Sequence, residues 1–133
     1  MQNHASGRFD VKLQPIDVYN KAEGAGLGHM SIDKQFHGDL DATSQGEMLS
    51  AMGSVKGSAG YVAIERVSGT LHGRSGSFVL QHNATMTRGE PYLNIIVVPD
   101  SGSGELAGLS GTMKIIIADG KHSYEFDYAL GDG

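Results

Sequence analysis

Apolar and polar residues alternate along most of this chain with a period of two. Over residues 7–13, Phe9, Val11 and Leu13 stand against Arg8, Asp10 and Lys12, the pattern of a half-buried strand. Over residues 28–40, Met30, Ile32, Phe36 and Leu40 oppose His29, Ser31, Asp33, Gln35, His37 and Asp39. Lys34 is the exception on that apolar side. Residues 46–52 continue with Met48, Ser50 and Met52 on one face. Residues 93–98 are apolar at nearly every position, which predicts a strand covered on both sides. Glycine-rich connections separate these runs at residues 20–28, 53–60 and 99–104. Residues 1–6 read as a disordered tail, and 7–133 as a single domain.

Two hairpins fix more detail. Asp119-Gly120 lies between two strand patterns, the strongest short-range hairpin signal. A two-residue turn there sets Ile117 against His122, Ile115 against Tyr124, Met113 against Phe126, and Lys114 against Glu125. Apolar partners coincide and opposite charges coincide, so the register is self-consistent. Tyr124, Phe126, Tyr128 and Leu130 then face inward. The second hairpin turns at Gly73-Arg74, and this centring places Glu65 opposite His82, Ala63 opposite Ala84 and Tyr61 opposite Met86. Val67 then meets Leu80 and Gly69 meets Phe78. That face is apolar except for Glu65 and His82.

No segment shows a helical period. About eight strands with turn signals between them predict an all-β protein. Joined mainly in sequence, they make a closed antiparallel up-and-down β-barrel, which can enclose side chains or one small ligand. The 20 glycines and only 3 prolines suit many tight turns. A formal charge of -5, with basic residues scattered, argues against a nucleic-acid groove. The chain has no cysteine, so disulfide and thiolate chemistry are excluded. The sequence has no signal-peptide core and no bilayer-length apolar run, so the expectations are no membrane partner and a cytoplasmic location.

The candidate chemistry centres on Glu65 and His82. An acid and an imidazole on an apolar wall can exchange a proton near neutral pH, or can satisfy one another as a structural pair. Both readings stay open. Tyr61, Phe78, Leu80, Met86, Tyr124 and Phe126 are the candidate substrate-binding walls. Tyr61, Tyr124 and Tyr128 carry phenols that could steady developing charge or simply fill space with their hydroxyls bonded locally. Met48, Met52, Met86 and Met113 supply adaptable lining or core. Arg66 and Gln81 are expected to face each other, as an anchor for an anionic substrate or as an outward or interface polar pair. No HExxH or His-x-His arrangement exists, so no metal site and no cofactor are expected. The Gly102-Ser103-Gly104 loop lacks a following Walker lysine and reads as a turn.

The run Ile64-Glu65-Arg66-Val67, then Gly69-Thr70-Leu71, then Gly73-Arg74-Ser75-Gly76-Ser77-Phe78-Val79-Leu80-Gln81-His82 resembles a bacterial family of unknown function. Val97-Val98-Pro99 and residues 102–111 resemble its second block. The likeness extends to Phe36-His37-Gly38-Asp39-Leu40 and Phe126-Asp127-Tyr128. Members of that family look like the allene-oxide-cyclase barrel, a closed antiparallel barrel that is usually oligomeric. Plant allene oxide cyclases and bacterial polyketide cyclases, which fold flexible apolar substrates in the lumen, are related barrels. The resemblance implies the fold alone, because no catalytic motif of those enzymes maps onto this chain. The expected function is binding of a small apolar or amphipathic molecule, with isomerase, cyclase or lyase chemistry in the lumen. A non-catalytic carrier and a structural homo-oligomer, dimer or trimer, are the alternatives.

Overall fold

The computed structural model describes residues 2–24 and 26–131. Met1 of the expected tail, Ala25 of the expected connection and residues 132–133 lie outside them. Every element is a strand: β1 (Asn3–Pro15), β2 (Leu27–Phe36), β3 (Leu40–Met52), β4 (Ala59–Leu71), β5 (Arg74–Thr87), β6 (Glu90–Val97), β7 (Ser103–Gly104), β8 (Leu109–Ala118) and β9 (Lys121–Leu130). Eight of them close into an antiparallel barrel in the order β1-β2-β3-β4-β5-β6-β8-β9, with β9 returning to β1. The two-residue β7 adds to one end of β5. No helix among the described residues is long and apolar enough to cross a membrane.

Three expectations need correction. Residues 3–6 are strand rather than tail, because they pair with β9 from Asn3 opposite Tyr128 to Ser6 opposite Glu125. The long strand expected over residues 28–40 breaks after Phe36, and Leu40 opens β3. Gly38, at φ 96°, provides the left-handed turn between them. The β4–β5 hairpin turns at His72-Gly73, whose φ values of 47° and 79° give the paired left-handed geometry favoured in two-residue loops. Glu65 therefore faces Leu80, and His82 faces Ala63. Val67 faces Phe78, Gly69 faces Gly76, and Tyr61 faces Ala84. Moving the turn by one residue shifts partners by two, so every side chain keeps its face. The β8–β9 register is as the sequence predicts, with Lys114 opposite Glu125.

The two ends of the barrel differ. One end, bounded by the turns at residues 37–39 and 72–73 and the loop at 98–108, is packed solid. Phe9, Phe36, Leu40, Leu71, Phe78, Leu80, Phe126 and Tyr128 are buried there, and Leu106 plugs the base from the loop. Phe78, Phe126 and Tyr128 form a run of stacked rings with centroids 5.8 and 5.3 Å apart. Tyr124, its ring edge-on to Phe36 at 5.5 Å, donates from its hydroxyl to the His37 carbonyl at 2.8 Å and accepts from the Leu40 amide at 2.9 Å. It thereby ties β9 to the β2–β3 turn. At the opposite end, inward-facing apolar side chains meet solvent: Leu13 is 46% exposed, Met86 42%, Leu93 40% and Ile117 67%.

Tyr124→Phe keeps the ring but leaves the Leu40 amide without its partner. The expected loss is about 1–3 kcal/mol, read as a lower urea midpoint with an unchanged slope.

Candidate functional site

Between the packed and the open half lies one layer of polar side chains. Glu65 is fully buried on β4, and its carboxylate reaches three neighbouring strands. Lys34 Nζ on β2 donates to Oε2 at 2.8 Å, and Ser44 Oγ on β3 donates to Oε1 at 2.7 Å. His82 Nε2 on β5 meets Oε2 at 2.5 Å. The Lys34 ammonium also lies 5.0 Å from the Phe9 ring centroid and 5.7 Å from that of Phe36, within cation–π range.

Small residues make the layer possible. Gly46 sits opposite Glu65, where a Cβ would fall 2.1 Å from the Ile64 carbonyl oxygen. Only glycine lets β3 approach β4 this closely, and Ser44, one inward position along and paired with Lys34, is then brought to the carboxylate. Ala63 faces His82 and leaves the imidazole free to lean diagonally toward Glu65. The pair is thus joined across the diagonal of the sheet.

Burial pushes the Glu65 carboxyl up, but the His82 hydrogen bond, the Lys34 charge, the His82 charge and the Lys34 hydrogen bond together bring it down to about 2. A carboxyl held that low is ionised near neutrality. Its three donors favour, of the expected roles, that of an ionised anchor for Lys34 and His82. Because an ionised carboxylate only accepts, His82 donates from Nε2. The other ring nitrogen, Nδ1, is buried and has no hydrogen-bond partner among the described residues.

The candidate walls divide between the two halves. Phe78, Leu80, Tyr124 and Phe126 belong to the packed core. Tyr61 and Met86 lie on the open side, with the Tyr61 ring 6.3 Å from that of His82. Burial, and then the Glu65 charge, raise the Tyr61 phenol above its ordinary value. The Tyr124 hydroxyl is engaged as described, and that of Tyr128 with His72 Nδ1 at 2.5 Å. Tyr61 is therefore the candidate phenol at the open end. Met48 is half-buried beside Met30 and Ala63, Met113 is core, and Met52 is 67% exposed. Arg66 and Gln81 do not face each other: Arg66 is opposite Val79, and its Nη2 donates to Ser77 Oγ.

Sequence reasoning missed Lys34 and Ser44. Lys34 left a signal, as the single charge at an inward position of its strand. His4, His29, His37 and His72 each lie within 4 Å of a carboxylate, at distances from 2.7 to 3.6 Å. Among the described residues no group of three or more ligands could hold a metal.

Glu65→Gln leaves a buried ammonium without its counter-charge, and the expected loss at neutral pH is about 3–5 kcal/mol. The depressed carboxyl contributes stability that is complete above its ordinary 4.5 and is lost as pH falls toward about 2. The variant should therefore lose less stability than the parent on acidification through that window, as urea unfolding across the pH range would show.

The chain is similar throughout to proteins without an assigned role. A family model described as a protein of unknown function, DUF3224, matches residues 5–128. A crystal structure of a DUF3224 protein of unknown function from Shewanella oneidensis MR-1 superposes with a TM-score of 0.95. Its sequence is 56% identical, over 100% of both chains. No curated protein matches the chain. With nearly the whole barrel inside the family match, the chain belongs to the DUF3224 family.

Proposed function

We propose that this protein binds a small, largely apolar molecule in the open half of the barrel, with His82 Nδ1 as its polar contact. The observation that carries the reading is that buried, unpartnered nitrogen beside inward-facing apolar side chains that meet solvent. Buried polar atoms are seldom left unpaired, so a ligand is a natural partner. Met30, Met48, Tyr61, Met86 and Ile115 are the lining, with methionines adapting to its shape.

The same groups support proton transfer. In this version His82 accepts a proton at Nδ1, Glu65, itself held by Lys34, orients the ring, and the Tyr61 hydroxyl donates to an oxygen gaining charge. Returning the proton to another atom of the substrate completes an isomerisation or cyclisation within a lumen that fixes its conformation. The likeness to allene-oxide-cyclase barrels favours this version by analogy of fold. A carrier uses the same contacts without turnover. The bonds of Glu65 favour a structural role for that residue in either case. Self-association is supported by the outer face, where Leu49, Val62 and Ile64 are each 50% exposed or more along a groove of about 770 Å³. A cytoplasmic setting suits a reading that needs no oxidised or anchored group.

N-phenyl-1-naphthylamine, a neutral fluorophore with one N–H donor, tests the pocket. Its emission should rise saturably with the protein. Met48→Trp, which fills the space beside His82, should abolish the rise while the circular dichroism stays unchanged. His82→Phe should weaken binding by roughly 2- to 10-fold, the worth of one hydrogen bond. No saturable rise, or an equal rise with Met48→Trp, would sink the reading.

A further inference from the structure

The barrel wall is incomplete on one side. β5 and β6 pair from Leu80–Val97 to Thr87–Glu90, and β8 and β9 pair along their whole lengths. Between β6 and β8 the ladder has only two rungs, Ile95–Met113 and Ile96–Thr112. Toward the open end, residues 90–94 of β6 and 114–118 of β8 run on without a ladder between them. Unpaired strand edges are a liability that barrel closure ordinarily removes, yet here the β6–β8 ladder stops after two rungs, and we read the unladdered stretch as a slot. Its inward residues include Leu93 and Ile117, 40% and 67% exposed, and its outer rim carries Tyr92 and Ile116, 56% and 41% exposed. The slot ends at Ile95, and Ile95 is the ladder partner of His82.

We infer that the ligand is a chain-like neutral amphiphile, its hydroxyl head on His82 Nδ1 and its apolar tail lying in the slot between β6 and β8. The inference rests on the pocket proposed above and names what fills it. Five residues of strand give the slot a length of roughly 15 Å, enough for an alkyl chain of medium length. The head is a hydroxyl because an O–H both donates and accepts, and so pairs with Nδ1 whichever way that bond runs. It is uncharged because the Glu65 carboxylate shares that imidazole, and the Lys34 ammonium is already spent on Glu65. An anionic head would meet a like charge in a dry layer, where repulsion is poorly screened.

Displacement of N-phenyl-1-naphthylamine by 1-dodecanol, dodecanoate and 1-butanol tests both head and tail. Dodecanol should displace the probe at least tenfold better than either competitor. The chain has no cysteine, so Asn94→Cys with Lys114→Cys gives a clean cross-seam disulfide just beyond the last rungs. Its oxidation, verified by mass, should weaken dodecanol at least tenfold, with recovery on reduction. If the disulfide does not form, Leu93→Asp places a charge in the slot and should have the same effect on dodecanol while sparing the fluorophore. Equal displacement by dodecanoate overturns the neutral head. Dodecanol binding unchanged by the closed disulfide, or by Leu93→Asp, overturns the slot. A fluorophore that never binds removes the pocket itself, which distinguishes failure of the earlier reading from failure of this one.

Discussion

A buried carboxylate shared among four strands organises the centre of this barrel. Glu65 alone would be expelled from an apolar interior, because desolvating an ion is expensive. It is retained because Lys34, Ser44 and His82 arrive from β2, β3 and β5 with donors at 2.5–2.8 Å. Each donor is useful only when its strand holds the right register, since a slip of one residue turns the side chain to the outer face. The network therefore works as a register lock across half of the barrel, in the manner of polar groups that specify one arrangement among several. It also separates a half filled by aromatic rings from a half that is not.

That separation makes the chemistry of the site asymmetric. Below the layer, the hydroxyls of Tyr124 and Tyr128 bond to the turns that close the barrel. Above it, Tyr61 and the methionines are only partly covered. Glu65 belongs to the lower world, fully satisfied and ionised, while His82 spans both, with one nitrogen bound to Glu65 and the other without a partner. Two residues that look equivalent in sequence thus stand in different surroundings, one with its donors complete and one with a ring nitrogen unpartnered among the described residues.

Much of this was legible in the chain. Period-two alternation gave the strands, and the Asp119-Gly120 turn gave its hairpin register to the residue. The β4–β5 turn was placed one residue late, because glycine at position 73 marks the second turn residue and His72 supplies the other left-handed conformation, which histidine adopts only uncommonly. Parity survived, so Glu65 and His82 still met. The contributions of Lys34 and Ser44 were hidden for another reason: they depend on which strands become neighbours and on the close approach at Gly46, neither of which is local information. The division of the candidate walls was likewise invisible, since alternation tells inside from outside but not one end of a barrel from the other.

The concentration of packing at one end has an evolutionary consequence. Core substitutions at Phe36, Phe78 or Phe126 disturb interlocked rings and carry the large penalties of any tight interior. Around Met30, Met48 and Met86, where side chains are already partly uncovered, a change in size or shape sacrifices far less cohesion. A fold so partitioned can tolerate change in the side chains around its open end while its foundation stays fixed, so variation at one end and constancy of architecture need not oppose each other.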